Sequence, residues 1–137
     1  MQRIPPDITD IIKNNDIEKV VFKDEEFVLV IDPYQTEDSV HYCAWSVKQK
    51  RDLLDLTSKD IPILERLIEK TFDQLGMDNE NYKVFIHFPP SWWHLHIHFI
   101  SNNHRLRSPS EDIYYLKDII KNLKENNNYY RERVTIK

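Results

Sequence analysis

The most informative stretch of this 137-residue chain is His94-Leu95-His96-Ile97-His98-Phe99. Imidazole and apolar side chains alternate through it, and successive side chains of a β-strand point to opposite faces of the sheet. The stretch therefore predicts a strand whose three histidines share one face, each about 6.5–7 Å from the next. Its three apolar side chains are expected to face the other way, into a hydrophobic core.

Three interpretations of the histidine face stay open on the residues alone. The first is an ordinary solvated surface. The second is a zinc site, but a third histidine in line is poorly placed for a tetrahedron, and residues 94–99 contain no cysteine or carboxylate. The third is a phosphate site, because neutral imidazole is a good nucleophile near neutral pH and neighbouring rings can hold phosphate oxygens. The pattern favours the phosphate site, in an enzyme or in a module that only binds nucleotides.

The rest of the chain predicts an antiparallel α+β domain, because strand-like segments follow one another with few helices between them. Strands are predicted at 20–22, 27–31, 42–47, 82–88, 92–100 and 129–136. The acidic residues 24–26 fit a hairpin turn between the first two strands. One face of the strand at 82–88 is expected to carry Val84, Ile86 and Phe88 into the core.

Three helices are also predicted. The clearest begins with a capping box formed by Thr57 and Asp60 and ends at Gly76, where a left-handed C-cap is wanted. A shorter helix is expected at about 7–14. A third is expected to be capped by Ser110. The apolar residues at helical spacing in this third helix are Ile113, Leu116, Ile120 and Leu123.

Length, charge and composition limit the class of protein. A chain of this length is one domain's worth, so residues 1–137 are expected to form a single domain. One cysteine excludes an internal disulfide. Neither a signal peptide nor a membrane-spanning run is evident, so we expect the cytoplasm or the nucleus. The net charge of −4 argues against a groove for long nucleic acid, and a single glycine excludes glycine-rich phosphate loops.

A longer signature surrounds the histidines. Residues 87–99, which read HFPPSWWHLHIHF, resemble the histidine-triad motif of nucleotide hydrolases and transferases. They are most similar to the branch of scavenger mRNA decapping enzymes, in which two aromatic residues precede the triad. The likeness extends to Asp55-Leu56-Thr57 at a helix start and to Tyr129-Tyr130-Arg131 near the end.

The resemblance implies an antiparallel sheet of about five or six strands with flanking helices. It implies a hydrolase that cleaves the triphosphate bridge of capped dinucleotides or short capped RNA, through a nucleotidyl-histidine intermediate. The alternative is a general phosphoramidase or dinucleoside polyphosphate hydrolase without cap specificity. Neither a metal nor another cofactor is needed in the family. Members pair as homodimers, often through the segment that corresponds here to residues 57–88.

The resemblance also implies roles for the three histidines of the triad. His96, the middle one, is the expected nucleophile. His94 and His98 are expected to hydrogen-bond its ring, the phosphate or the leaving group.

Three further residues match the family's binding positions, and each also has a simpler interpretation. Ser91 is expected to bind the phosphate or the leaving oxygen, although it also fits a turn after two prolines. His87 is expected to reach the phosphate, although it also fits a surface position. Asp32 is expected to hold the ribose hydroxyls, although an aspartate before proline is also a natural turn residue.

Overall fold

A six-stranded antiparallel sheet forms the centre of the fold, which confirms the predicted α+β class. In chain order its strands are β1 (Val20–Lys23), β2 (Phe27–Ile31), β3 (His41–Ser46), β4 (Tyr82–His87), β5 (His96–Ser101) and β6 (Ile113–Tyr115). Their spatial order is β1-β2-β3-β5-β4-β6, so β5 lies between β3 and β4. This computed structural model describes residues 20–31, 40–48, 52–76, 81–88, 94–102 and 112–133.

Helices accompany the sheet. Within the described residues they are α1 (Ile61–Leu75), α2 (Leu116–Glu125) and α3 (Tyr129–Arg133), with 3₁₀ turns at Leu53–Asp55 and Ser58–Asp60. None of the helices in these parts of the chain is long and apolar enough to cross a membrane.

The predicted capping box and the predicted end of α1 are confirmed, but the box caps the 3₁₀ turn Ser58–Asp60 that leads into α1 and not α1 itself. Thr57 and Asp60 form a reciprocal capping box, in which the Thr57 backbone N–H donates to the Asp60 carboxylate at 2.9 Å. Gly76 ends the helix in the left-handed region, with φ at 65°. The β1–β2 turn is confirmed too, because the Asp24 carboxylate accepts hydrogen bonds from the backbone N–H groups of Glu26 and Phe27. These local hydrogen bonds satisfy backbone donors that the turn and the helix leave open.

The core lies between one face of the sheet and helices α1 and α2. Leu95, Ile97 and Phe99, the apolar half of the histidine stretch, are buried there as the alternation predicts. From β4, Ile86 and the adjoining Phe88 join the same core. The helices contribute Leu64, Leu67, Leu116, Ile119 and Leu123. The imidazoles that alternate with this apolar half therefore point to the opposite face of the sheet.

The prediction that residue 113 belongs to a helix is wrong. Ile113–Tyr115 form strand β6, which pairs with β4 through Phe85 opposite Tyr115 and His87 opposite Ile113. One β-branched and two aromatic residues suit a strand, and the helix begins only at Leu116. The helical spacing of residues 113 and 116 was therefore a coincidence across an element boundary.

The prediction of a last strand at 129–136 is also wrong for the residues that the structure describes, because Tyr129–Arg133 form helix α3. Tyr130 is buried, and its hydroxyl accepts a hydrogen bond from the Asn122 amide at 3.0 Å. Packing against α2 therefore overrides the strand preference of two adjacent tyrosines. Strand β5 begins at His96 rather than at residue 92. The prediction that Ser110 caps the third helix is wrong too, because this helix begins at Leu116 with Tyr115 at its N-cap. The predicted helix at 7–14 lies outside the described residues.

Candidate active site

Strand pairing surrounds the histidine face of β5 with aromatic and polar side chains. On the β3 side, Trp45 lies opposite His96 and Cys43 lies opposite His98. On the β4 side, Phe85 lies opposite His98. Paired residues on neighbouring antiparallel strands share a face of the sheet. The candidate site is therefore a patch of three strands, with the half-buried rings of His96 and His98 at its centre.

The orientation of His96 is set from two sides. Its ring stacks on the indole of Trp45, with centroids 4.2 Å apart and planes 17° from parallel. Its Nδ1 lies 2.8 Å from the backbone carbonyl oxygen of His94. A carbonyl only accepts hydrogen bonds, so Nδ1 carries the proton and donates it. In the neutral ring the lone pair is then on Nε2, which is the atom able to attack an electrophile.

His94 lies just before β5 and has the opposite tautomer. Its Nε2 donates to the backbone carbonyl oxygen of Ser46 at 2.6 Å. In the neutral ring the lone pair is therefore on Nδ1. Its backbone carbonyl is the acceptor that holds His96, so His94 positions its neighbour through its main chain.

His98 belongs to a tight polar cluster. Its Nδ1 lies 3.0 Å from Nε2 of His41, and the Cys43 sulfur lies 3.5 Å from the same His98 nitrogen. Its ring also stacks on Phe85, at 5.0 Å between centroids and 13° between planes. The ring of His96 meets it edge-on at 5.0 Å. His98 is thus held on all these sides by neighbours from three strands.

His87 ends strand β4 on the histidine face, two residues beyond Phe85. Partial burial lowers the pKa of its imidazole below the ordinary value of 6.5, while the nearby Asp112 carboxylate opposes the shift. Burial disfavours the charged form of the ring. His87 is therefore a neutral imidazole at neutral pH, able to donate one hydrogen bond and to accept another.

The structure thus brings His87, His94, His96 and His98 together around adjoining strands β4 and β5. Ser91 and Asp32 lie outside the described residues, so their roles remain predictions.

Sequence reasoning missed four neighbours of the triad, which are His41, Cys43, Trp45 and Phe85. The alternation of residues 41, 43 and 45 marked one face of a strand. Only the non-local pairing of β3 with β5 reveals which face that is.

This sheet with its row of imidazoles is the architecture of a histidine-triad protein. A solved histidine-triad protein from Clostridium difficile superposes on 80% of this chain and 100% of its own, with a TM-score of 0.58 and 20% identity. Within that class, the family model described as "Scavenger mRNA decapping enzyme C-term binding" matches residues 7–114. The chain belongs to this family of scavenger mRNA decapping enzyme C-terminal domains.

Curated relatives agree with the family. The chain is 27% identical over 133 residues to an m7GpppX diphosphatase from Caenorhabditis elegans, covering 88% of this chain and 43% of that protein. It is 26% identical over 134 residues to the human m7GpppX diphosphatase, covering 88% of this chain and 40% of that protein. The chain therefore spans less than half the length of either relative.

Proposed function

We propose that this chain is a nucleotide hydrolase of the scavenger mRNA-decapping type. Its substrate would be a capped dinucleotide or a short capped RNA, and the bond cleaved would lie in the triphosphate bridge. Membership of the family and the names of the two relatives support this substrate class. The arrangement around His96 supports the chemistry.

One observation carries the proposal, which is the hydrogen bond from His96 Nδ1 to the His94 carbonyl. A nucleophilic imidazole needs its lone pair on the attacking nitrogen and its proton on the other. The carbonyl enforces that tautomer in advance. It also stabilises the positive charge that develops on the ring as Nε2 forms its new bond, in the way that fixed dipoles stabilise developing charge.

The reaction follows in two displacements. In the first, the lone pair of His96 Nε2 forms a bond to the phosphorus next to the methylated nucleoside, and the bond from that phosphorus to its bridging oxygen breaks. The remaining nucleotide leaves with the bridging oxygen and its electron pair. In the second, water attacks the same phosphorus, loses a proton to solvent or a neighbouring base, and releases His96. The products are a nucleoside monophosphate and a nucleoside diphosphate or a 5′-diphosphorylated RNA fragment.

The neighbouring residues have supporting roles in this proposal. His98 and His87 hydrogen-bond phosphate oxygens, and the stacked face of Trp45 offsets part of the charge on the phosphorylated ring. Ser91 binds the phosphate or the leaving oxygen, and Asp32 holds the ribose hydroxyls, as the family resemblance implies. The same resemblance supports a homodimer formed through residues 57–88. We also propose the cytoplasm or the nucleus as its location.

A substrate panel tests the proposal. We expect hydrolysis of the methylated capped dinucleotide, slower hydrolysis of the unmethylated one, and a loss of at least about 10³-fold in His96→Ala, because the nucleophile is gone. The matched control is His104→Ala, since His104 has no assigned role in the reaction. It should retain the activity of the original chain.

Three other outcomes would contradict the proposed function or part of it. Equal rates on methylated and unmethylated substrates, or a preference for nucleotide phosphoramidates, would replace cap hydrolysis with the general hydrolase. Full activity in His96→Ala would contradict the proposed nucleophile. Binding of nucleotides without turnover by the unaltered chain would indicate a binding module.

A further inference from the structure

We propose a second site in this protein, a transition-metal site formed by His41, Cys43 and His98. The first two alternate on β3, and Cys43 lies directly opposite His98 on β5. All three side chains therefore share one face of the sheet. Their ligand atoms are His41 Nε2, the Cys43 sulfur and His98 Nδ1, which all lie within 4.8 Å of one another.

The distances between the ligand atoms fit a tetrahedral zinc ion. The two nitrogens are 3.0 Å apart, and the sulfur lies 3.5 Å from one nitrogen and 3.7 Å from the other. Zinc bonds of ordinary length and tetrahedral angle place two nitrogens about 3.3 Å apart and a nitrogen about 3.6 Å from a sulfur. Only the nitrogen pair has to open, by about 0.3 Å.

The ligand set also fits the chemistry of such an ion. Two imidazoles and one thiolate are ligands that zinc prefers, and three protein ligands leave a fourth position for water or another oxygen. Cys43 is only 4% exposed. A thiolate so deeply buried is costly without a cation beside it, whereas a divalent ion releases the thiol proton and neutralises the charge. Residues 94–99 contain no cysteine, but strand β3 supplies Cys43 directly opposite His98.

The site shares His98 with the triad, so a bound ion would affect the proposed reaction. This step rests on the proposed function. An ion on Nδ1 of His98 leaves the ring proton on Nε2, so His98 becomes a fixed donor toward a phosphate oxygen. A divalent ion with one thiolate also keeps a net positive charge there. Both effects favour an anionic ligand. Metal binding itself requires no substrate and is independent of the hydrolase proposal.

Cobalt binding provides the test, with the purified, metal-stripped full chain and Co²⁺ as the probe. We expect one equivalent to bind and to give a thiolate-to-cobalt charge-transfer band with a tetrahedral visible spectrum. Cys43→Ala should abolish the band, and His41→Gln should weaken binding by more than about 100-fold, since even residues that only support a ligand cost about 10–100-fold. His87→Gln is the matched control and should retain both the band and the affinity.

A second measurement distinguishes loss of metal binding from loss of folding. Zn²⁺ should raise the midpoint of thermal unfolding of the original chain and of His87→Gln, because a ligand that binds only the folded state stabilises it. Cys43→Ala should fold, as judged by its own cooperative transition, and show no such rise. The proposal is overturned if the original chain binds no stoichiometric Co²⁺. It is equally overturned if Cys43→Ala binds it with an unchanged spectrum, because the ion would then lie elsewhere.

Discussion

The indole of Trp45 lies flat against the imidazole of His96, with ring centroids 4.2 Å apart and planes 17° from parallel. The two residues are direct partners across β3 and β5, and Trp45 is itself buried. The proposed nucleophile is therefore held between an aromatic face and the backbone carbonyl that accepts its Nδ1 proton. This arrangement limits ring rotation and places an electron-rich surface beside the ring that becomes positively charged.

Removal of the aromatic face should slow the first chemical step. A cation over an aromatic ring gains about 1–2 kcal/mol when partly desolvated, which corresponds to roughly 5- to 30-fold in rate. We expect Trp45→Leu to lose about that much in single-turnover hydrolysis of a methylated capped dinucleotide. Trp45→Phe is the control that retains a π face and should lose less. Equal losses in the two variants, at equal thermal stability, would show that Trp45 acts through packing alone.

The pKa of His87 should respond to a single carboxylate. Burial holds this pKa below 6.5, and Asp112 pulls it upward. Asp112→Asn removes the charge, so we expect the pKa of His87 to fall further, as measured by titration of its ring signals in NMR spectra. An unchanged or higher pKa would mean that the carboxylate does not act on this ring.

The same shift has a consequence for stability. Because the folded-state pKa of His87 lies below the unfolded value of 6.5, the unfolded chain binds more protons in the interval between them. The contribution to stability is therefore fully present above pH 6.5 and is lost as the pH falls through the folded-state pKa. In His87→Gln, the free energy of unfolding should decline less steeply on acidification. An unaltered slope would contradict this assignment.

Substitution of Gly76 should be limited by its backbone conformation and not by steric clash of a new side chain. Its φ of 65° is left-handed, and a Cβ built there has no heavy atom within 4 Å. Gly76→Ala should therefore lower the free energy of unfolding by about 1–2 kcal/mol, the cost of placing an L-residue in that region. Gly76→Asn should lose less, since asparagine enters it more readily. Chemical denaturation of the three proteins measures both. Equal stability of the alanine variant and the original chain would contradict the observed helix end.

Helix α3 should depend on one buried hydroxyl. The Tyr130 hydroxyl accepts from the Asn122 amide at 3.0 Å, and burial raises the pKa of Tyr130. Tyr130→Phe keeps the ring but removes this bond, so we expect a loss of about 1 kcal/mol in the free energy of unfolding. In the background of Asn122→Ala the same change should cost clearly less. Additive losses in the double variant would show that the two groups are not coupled.

Local patterns predicted those parts of the fold whose signals are contained in a few neighbouring residues. The alternation around His96 identified a strand and the face on which its imidazoles lie. The capping box identified the 3₁₀ turn that leads into α1, and Gly76 identified the end of α1. The same reasoning failed for Tyr130 and for Ile113. The position of Tyr130 depends on packing against α2, and the strand at Ile113 depends on pairing with β4.

The neighbours of the triad could not be predicted from local sequence patterns, because they depend on which strands pair. Cys43 and His98 are 55 positions apart in the sequence, yet their sulfur and nitrogen atoms are 3.5 Å apart. A strand's own pattern says which residues share a face, but not which strand becomes its neighbour. The chain order β3, β4, β5 becomes the spatial order β3-β5-β4. That change in order brings His41, Cys43 and Trp45 beside the histidines.

The most direct test of the central claim is the mass of the protein during a single turnover. A methylated capped dinucleotide is mixed with excess protein, the reaction is quenched without acid, and the modified peptide is mapped. We expect one nucleoside monophosphate attached to His96, and none in His96→Ala. Product formation without an adduct, or an adduct on any other residue, would contradict nucleophilic attack by His96 Nε2.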